Sequence, residues 1–159
     1  MKSANLERKE RKKNVREVDA SELTKKISDD GLVKIILYKL SCGERVALTV
    51  TGNSMLPFLR DSKDSVILGK LEKPPKRGDI VFYRRKNGAY VLHRVVKRKG
   101  ENYYFSGDAQ LAVEGPIEKG CLLAVCESVV RDGKEISKNS PQWLSYKFRF
   151  FKTKRKIRS

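Results

Sequence analysis

Short apolar runs separated by turn residues fill the middle of this sequence and constrain its fold more than any other feature. Val46, Leu48 and Val50 alternate with other residues, which is the period of a strand with one buried face. Lys86-Asn87-Gly88 is typical of a hairpin turn between two such runs. Many short strands joined by tight turns indicate a mainly β protein, and we expect a partly open antiparallel β-barrel. The predicted strands cover residues 46–50, 65–68, 80–84, 90–97, 103–105 and 122–130.

The residues before this β region are predicted to be partly helical. We expect residues 1–18 to form a charged N-terminal arm, in which acids and bases are mixed. Residues 19–44 form a helical segment, whose first helix would have Asp19 or Ser21 as its N-cap. The apolar run 32–40 could be a buried strand, but its length and the glycine that soon follows favour a second helix.

Basic and aromatic residues are concentrated in the C-terminal tail, residues 137–159. The whole chain has a formal net charge of +17, and the part from Trp143 to Ser159 has seven Lys and Arg and no acid. Such a tail could lie on an anionic membrane surface or, as a second choice, bind nucleic acid. It could instead pack its rings on the β region and leave its cations solvated. Its apolar residues recur at helical spacing: Trp143, Leu144, Phe148 and Phe151.

The cysteines and the lengths of the apolar runs bear on cofactors and location. Cys42, Cys121 and Cys126 form no C-x-x-C pair, and a single histidine cannot complete a zinc site with scattered thiols. We therefore expect reduced thiols, no metal and no cofactor. The run 32–40 contains two lysines and falls short of the roughly 20 residues of a membrane span, and no secretory signal follows Met1. We expect a cytoplasmic protein, peripheral at the membrane if its tail binds lipid.

A serine and the sole histidine are the candidate catalytic residues. Ser54 follows Thr51-Gly52-Asn53, where a turn would expose its hydroxyl, and His93 lies in a predicted strand. A serine hydroxyl is a weak nucleophile until a base removes its proton, and imidazole titrates near neutral pH. This pair can therefore carry acyl transfer, with Lys97 as an alternative base. The plainer interpretation is a turn serine and a surface histidine without a catalytic role.

Four blocks of the sequence resemble the signal peptidase family, and they occur in the family's order. They are T-G-N-S-M-L-P at 51–57, R-G-D-I-V-F at 77–82, H-R-V at 93–95 and S-G-D at 106–108. The resemblance is closest to the archaeal and endoplasmic-reticulum type, in which histidine replaces the bacterial lysine. It covers about residues 45–128 and implies a signal-peptidase-like β domain over residues 45–136.

The resemblance also implies an acidic residue that orients His93. Asp108 matches the family's Gly-Asp block, whereas the family's triad aspartate corresponds to Glu114. Glu114 would then orient His93 while Asp108 shapes the loop, or Asp108 would do both. Asp79 is predicted to be a structural turn residue.

The function implied by the resemblance is that of a serine endopeptidase that cleaves a leader or signal peptide from a precursor protein. Ser54 would be the nucleophile and His93 the general base. An extended substrate would add to a sheet edge and present a small side chain beside Ser54. An alternative from another class is a non-catalytic or repressor-related protein of this fold, which binds DNA or another anionic surface through its charge.

Overall fold

The computed structural model describes residues 16–17 and 30–158, in which nine strands form one sheet with two α-helices beside it. The predicted N-cap residues Asp19 and Ser21 lie outside the described residues, as does the predicted arm apart from Arg16 and Glu17. The helices are α1 (Asp30–Ser41) and α2 (Pro141–Arg158), and a 3-10 helix covers Lys119–Cys121. The strands are β1 (Arg16–Glu17), β2 (Val46–Thr49), β3 (Ser65–Lys70), β4 (Ile80–Arg84), β5 (Tyr90–Lys99), β6 (Asn102–Ser106), β7 (Glu114–Glu118), β8 (Leu122–Arg131) and β9 (Lys134–Ser137).

The strands follow the order β1-β2-β3-β8-β4-β5-β6-β7 across the sheet, and β9 also pairs with β8. Every pairing is antiparallel except the short parallel one between β1 and β2. The sheet does not close into a complete barrel. The predicted mainly β, antiparallel architecture with flanking helices is therefore confirmed.

Most of the predicted elements are present, and three strands were not predicted: β1, β7 and β9. The helix expected over 32–40 is α1, and each predicted strand overlaps an observed one. β7 was not predicted because its sequence contains Gly115 and Pro116, which disfavour strands. β9 was not predicted because Ile136 is its only strong strand former. β7 pairs with β6, and β9 pairs with β8. The backbone hydrogen bonds of these pairings stabilise strands whose sequences have weak strand propensity.

The core has two parts because side chains alternate along β4. Ile80 and Phe82 face a cluster that also receives side chains from both helices. Val81 and Tyr83 face a second cluster with residues of β6 and β7. β4 is therefore buried on both faces. The side chains of the β5 residues that pair with it also alternate between the two faces of the sheet.

The helix α2 is packed into this core through its first turns. The Ser140 hydroxyl accepts the Trp143 backbone N–H at 3.2 Å, which makes Ser140 the N-cap, and Pro141 suits the first helical position. Trp143 is 1% exposed and meets the Phe58 ring edge-on at 4.9 Å. The boundary predicted after residue 136 falls inside β9. Among residues 16–17 and 30–158, no helix combines the length and the apolar character needed to cross a bilayer.

Arg94 on β5 connects several elements from a fully buried position. Its guanidinium donates two bonds of 2.8 Å to the Asp108 carboxylate and one of 3.0 Å to the Gly78 carbonyl. The guanidinium carbon lies 5.3 Å from the Phe58 ring centre and 5.4 Å from that of Phe150. Arg94 thus ties β5 to the loop after β6, to the start of β4 and to α2.

We expect Arg94→Met to lower the free energy of unfolding by about 3–5 kcal/mol, because it leaves the Asp108 carboxylate buried without its partner. The measurement is denaturant unfolding at neutral pH. The matched control is Arg98→Met on the same strand, since Arg98 lies 3.9 Å from Glu101 at the surface. That change should cost less than about 1 kcal/mol. Equal effects of the two substitutions would contradict the structural role of Arg94.

Candidate active site

Ser54 lies in the loop between β2 and β3, and this loop is closed at its base. The Val50 N–H donates to the Asp64 carbonyl at 2.9 Å, and the Ser62 N–H donates to the Val50 carbonyl at 2.8 Å. Met55 is buried in the core, and its carbonyl accepts the Leu59 N–H at 2.9 Å. The chain around half-buried Ser54 is therefore held at both ends and by the side chain that follows it.

A second loop, residues 107–110 after β6, contacts the backbone of Ser54 directly. The Ala109 N–H donates to the Ser54 carbonyl at 2.9 Å. A side chain at Gly107 would overlap that same carbonyl oxygen, so only glycine allows the two loops to approach this closely. The two loops together fix the position from which the Ser54 hydroxyl projects.

The structure brings Ser54 and His93 together, although they are separated by a hairpin in the sequence. His93 lies on β5 opposite Val81 of β4 and is 3% exposed. Its Nε2 atom lies 3.1 Å from the Ser54 Oγ atom, which is hydrogen-bond distance. A neutral imidazole with its proton on Nδ1 leaves Nε2 free to accept the proton of the serine hydroxyl.

Glu114, the first residue of β7, lies on the other side of the imidazole. Its Oε1 atom is 3.2 Å from His93 Nδ1, so the carboxylate favours the tautomer with the proton on Nδ1. Arg85 donates to the same carboxylate at 2.8 and 3.2 Å, and the buried Tyr83 hydroxyl donates to Oε1. The Tyr83 oxygen is also 3.3 Å from His93 Nδ1. Glu114 is therefore held from two sides while it contacts the histidine.

The protonation states follow from these contacts. Burial lowers the pKa of His93 below its usual value of about 6.5, more than the nearby Glu114 carboxylate raises it. Burial alone would raise the pKa of Glu114, but the hydrogen bonds from Arg85 and Tyr83 outweigh it and hold that pKa below its usual range. At neutral pH the group is thus a serine, a neutral histidine and an ionised glutamate, which is the resting state that base-assisted attack requires.

The other predicted acids and the alternative base lie elsewhere. The Asp108 carboxylate is bound by Arg94 rather than by His93. Asp79 accepts the Lys76 N–H at 2.8 Å and pairs with Lys138 at 3.0 Å, contacts that suit a structural turn residue. The Lys97 ammonium lies 4.6 Å above the Tyr104 ring centre on the exposed part of β5. The structure therefore joins Ser54, His93 and Glu114 and leaves Asp108 in a supporting contact.

Lys154 of α2 was not predicted to lie near this site. It is 4% exposed, and its ammonium donates to the Ser106 hydroxyl at 2.6 Å and to the Gln110 carbonyl. Burial lowers its pKa below the usual range, and the nearby Asp108 charge partly opposes this shift. Lys154 thus fastens the 107–110 loop to α2. No sequence signal separates it from the other cations of the tail.

Tyr83 and Arg85 were also not predicted, but a signal for them exists. Tyr83 lies on β4 and Arg85 directly follows its last residue, and the hairpin turn at Asn87 brings β4 against β5. Both residues therefore fall near His93 once that hairpin is formed. Among residues 16–17 and 30–158, no group of three or more His, Cys, Asp or Glu is arranged to hold a metal ion.

A cleft of about 300 Å³ opens beside the Ser54 and His93 side chains. Arg85 and Gln110 lie at its polar side. Its apolar wall combines the end of β2 with the start of β5 and the strands behind them: Leu48, Val50, Val66, Phe82, Tyr90 and Leu92. An extended chain could lie in this cleft with a backbone carbonyl next to the Ser54 hydroxyl.

Comparison with known proteins does not assign the chain to a family. No family model matches the sequence, and no curated protein matches it.

The pKa of His93 can be measured directly, because it is the sole histidine of the chain. We expect its imidazole resonances to titrate below pH 6.5 in the folded protein, since burial disfavours the cation. Glu114→Gln should lower the pKa of His93 further, because the carboxylate that stabilises the imidazolium is lost. Arg85→Gln should raise it, because a nearby positive charge is removed.

The control for this titration is the same protein in denaturant, in which the pKa should return to about 6.5. Lys97→Gln serves as a matched control, because that lysine lies over Tyr104 and should leave the titration nearly unchanged. Shifts of the same sign for Glu114→Gln and Arg85→Gln would contradict the arrangement described above.

Proposed function

We propose that this protein is a serine endopeptidase of the signal peptidase type, with Ser54 as nucleophile, His93 as general base and Glu114 as the residue that orients the base. One observation carries the proposal. The Ser54 Oγ atom is 3.1 Å from one nitrogen of His93, while Glu114 is 3.2 Å from the other nitrogen. This is the geometric order of a nucleophile, a base and an orienting acid. The proposed fold type is a partly open barrel of the same family.

In the proposed acylation step, the Ser54 oxygen attacks a peptide carbonyl carbon and His93 Nε2 takes the hydroxyl proton. The imidazolium that forms is stabilised by Glu114, which Arg85 and Tyr83 keep ionised. The tetrahedral intermediate then collapses, the carbon–nitrogen bond breaks, and His93 returns the proton to the leaving amine. The carbonyl carbon stays bonded to Ser54 as an ester.

In the proposed deacylation step, a water molecule attacks that ester while His93 Nε2 takes one of its protons. The bond between the carbonyl carbon and the Ser54 oxygen breaks, and the serine recovers its proton from the imidazolium. Asp108 takes no proton in either step. Its bond to Arg94 supports the loop that binds the Ser54 carbonyl.

The substrate that we propose is an extended, apolar segment of a leader or signal peptide within a precursor protein. β5 begins at Tyr90, but its pairing with β6 begins only at Arg94. Among the described strands, only β4 pairs with Val91 and Leu92. A peptide strand could add along this edge beside the apolar cleft. A small residue would then occupy the position next to Ser54.

Ser54→Ala and His93→Ala should each lower the rate of peptide cleavage by at least about 10³-fold, because each removes a member of one catalytic unit. The double variant should lose little more than either single variant. The measurement is turnover of a fluorogenic leader-peptide library, together with covalent labelling by a fluorophosphonate probe. Ser62→Ala in the same loop is the matched control, because its hydroxyl is exposed and bonded to Asp61 at 3.2 Å.

Cleavage by Ser54→Ala at the rate of the unmodified protein would reject the mechanism. If the unmodified protein neither cleaves nor reacts with the probe, but binds duplex DNA with an affinity that falls steeply with salt, the alternative non-catalytic function is favoured.

Gly107→Ala should lower the cleavage rate by about 100-fold, because the added methyl group displaces the Ser54 backbone by a fraction of an ångström or more. Gly120→Ala is the matched control, since a side chain there would meet no atom within 4 Å. Its rate should stay within about twofold of the unmodified protein, as for a surface substitution away from the site. Unchanged activity of Gly107→Ala would show that the contact between the two loops does not position the nucleophile.

A further inference from the structure

The outward side of α2 exposes apolar residues that the core does not use. Trp143, Phe150 and Lys154 are buried and define the inward side of the helix. Leu144 is 49% exposed and Phe148 is 71% exposed. Because they are four residues apart, Leu144 and Phe148 lie on one face, one turn from each other. We call this pair the outward apolar pair of α2.

Cations flank the outward apolar pair, and α2 contains no acid between Pro141 and Arg158. Lys147 and exposed Lys152 lie on either side of the pair at helical spacing. The end of the Lys147 stem packs over Gly78, and the residue is half-buried. The Arg77 guanidinium lies 4.3 Å from the Phe151 ring centre and adds a further positive charge beside the helix.

We propose that this face of α2 binds the surface of an anionic lipid bilayer. Leu144 and Phe148 would enter the boundary between headgroups and acyl chains, and Lys147, Lys152 and Arg77 would contact lipid phosphates. Such binding does not depend on the proposed peptidase activity. It follows from an apolar strip bordered by cations on a helix whose opposite side is already packed.

The exposed aliphatic residue favours lipid over nucleic acid. A nucleic-acid surface would engage the cations and could stack a base on Phe148, but it offers Leu144 no apolar partner. A bilayer interface accepts both side chains and the cations at once. The net charge of +17 supports attraction to an anionic bilayer and predicts that the attraction weakens as salt is added.

The test is co-sedimentation of the full chain with vesicles of equal parts phosphatidylcholine and phosphatidylserine at low salt. Leu144→Gln/Phe148→Gln should lower the partition coefficient by at least about tenfold, because glutamine keeps the helix but removes the apolar contact. Lys147→Gln/Lys152→Gln should lower it by a similar factor and should reduce its salt dependence. Vesicles of phosphatidylcholine alone should bind the protein weakly.

The matched control is Ile35→Gln/Tyr38→Gln on α1, where the two side chains are 54% and 70% exposed. This variant should bind as the unmodified protein does. Thermal unfolding of every variant checks that α2 stays packed. Truncation of the chain at Pro141 would be a poor test, because it would remove Trp143 from the core.

Three outcomes would overturn the proposal. The first is no binding of the unmodified protein to the anionic vesicles at low salt. The second is equal binding by the unmodified protein and Leu144→Gln/Phe148→Gln, which would reduce the interaction to charge alone. The third is displacement of the protein from the vesicles by duplex DNA at matched phosphate concentration, which would assign the face to nucleic acid.

Discussion

The buried ion pair between Arg94 and Asp108 is the interaction on which the geometry of the site depends. His93 and Arg94 are neighbours on β5, so their side chains point to opposite faces of the sheet. One face carries the His93 imidazole, and the other carries the Arg94 guanidinium, which anchors the 107–110 loop. Because Ala109 of that loop binds the Ser54 carbonyl, the ion pair sets where the Ser54 side chain lies relative to His93. The distance of 3.1 Å between Ser54 Oγ and His93 Nε2 thus depends on side chains from both faces of β5.

The carboxylates on these two faces of β5 have different partners: Asp108 pairs with Arg94, and Glu114 contacts His93. On the Arg94 face, the guanidinium and the Asp108 carboxylate bind each other through two hydrogen bonds and are shielded from water, which gives a rigid connection. On the His93 face, Arg85 and Tyr83 donate hydrogen bonds to the Glu114 carboxylate, which also contacts the imidazole. The carboxylate raises the pKa of His93 by less than burial lowers it. The histidine therefore stays neutral in a site where an isolated carboxylate would have favoured its cation. The residue that anchors the loop, Arg94, and the residue that contacts Ser54, His93, are therefore neighbours on one strand.

The sequence predicted the elements of this fold better than it predicted the contacts between them. A hairpin centred on Asn87 pairs residues that are equally distant from it, which places Val81 opposite His93. Glu114 was a candidate through the resemblance, and the structure places it at the imidazole. Neither Arg94 nor Lys154 could be identified as an anchor from the sequence, because many other cations look alike. The partners of Arg94 lie 14 and 16 residues away, and the Gln110 carbonyl lies 44 residues from Lys154. β7 and β9 form mainly because neighbouring strands offer them hydrogen bonds.

The order of the elements along the chain has a consequence for synthesis. α2 follows every strand, yet it supplies Lys154 to the 107–110 loop and Trp143 to the core beneath the Ser54 loop. A nascent chain emerges from the ribosome N-terminal end first. It therefore contains Ser54, His93 and Glu114 before the helix that steadies their loops has been made. An endopeptidase with this order of elements would have its Ser54 loop fully supported only after α2 has been translated.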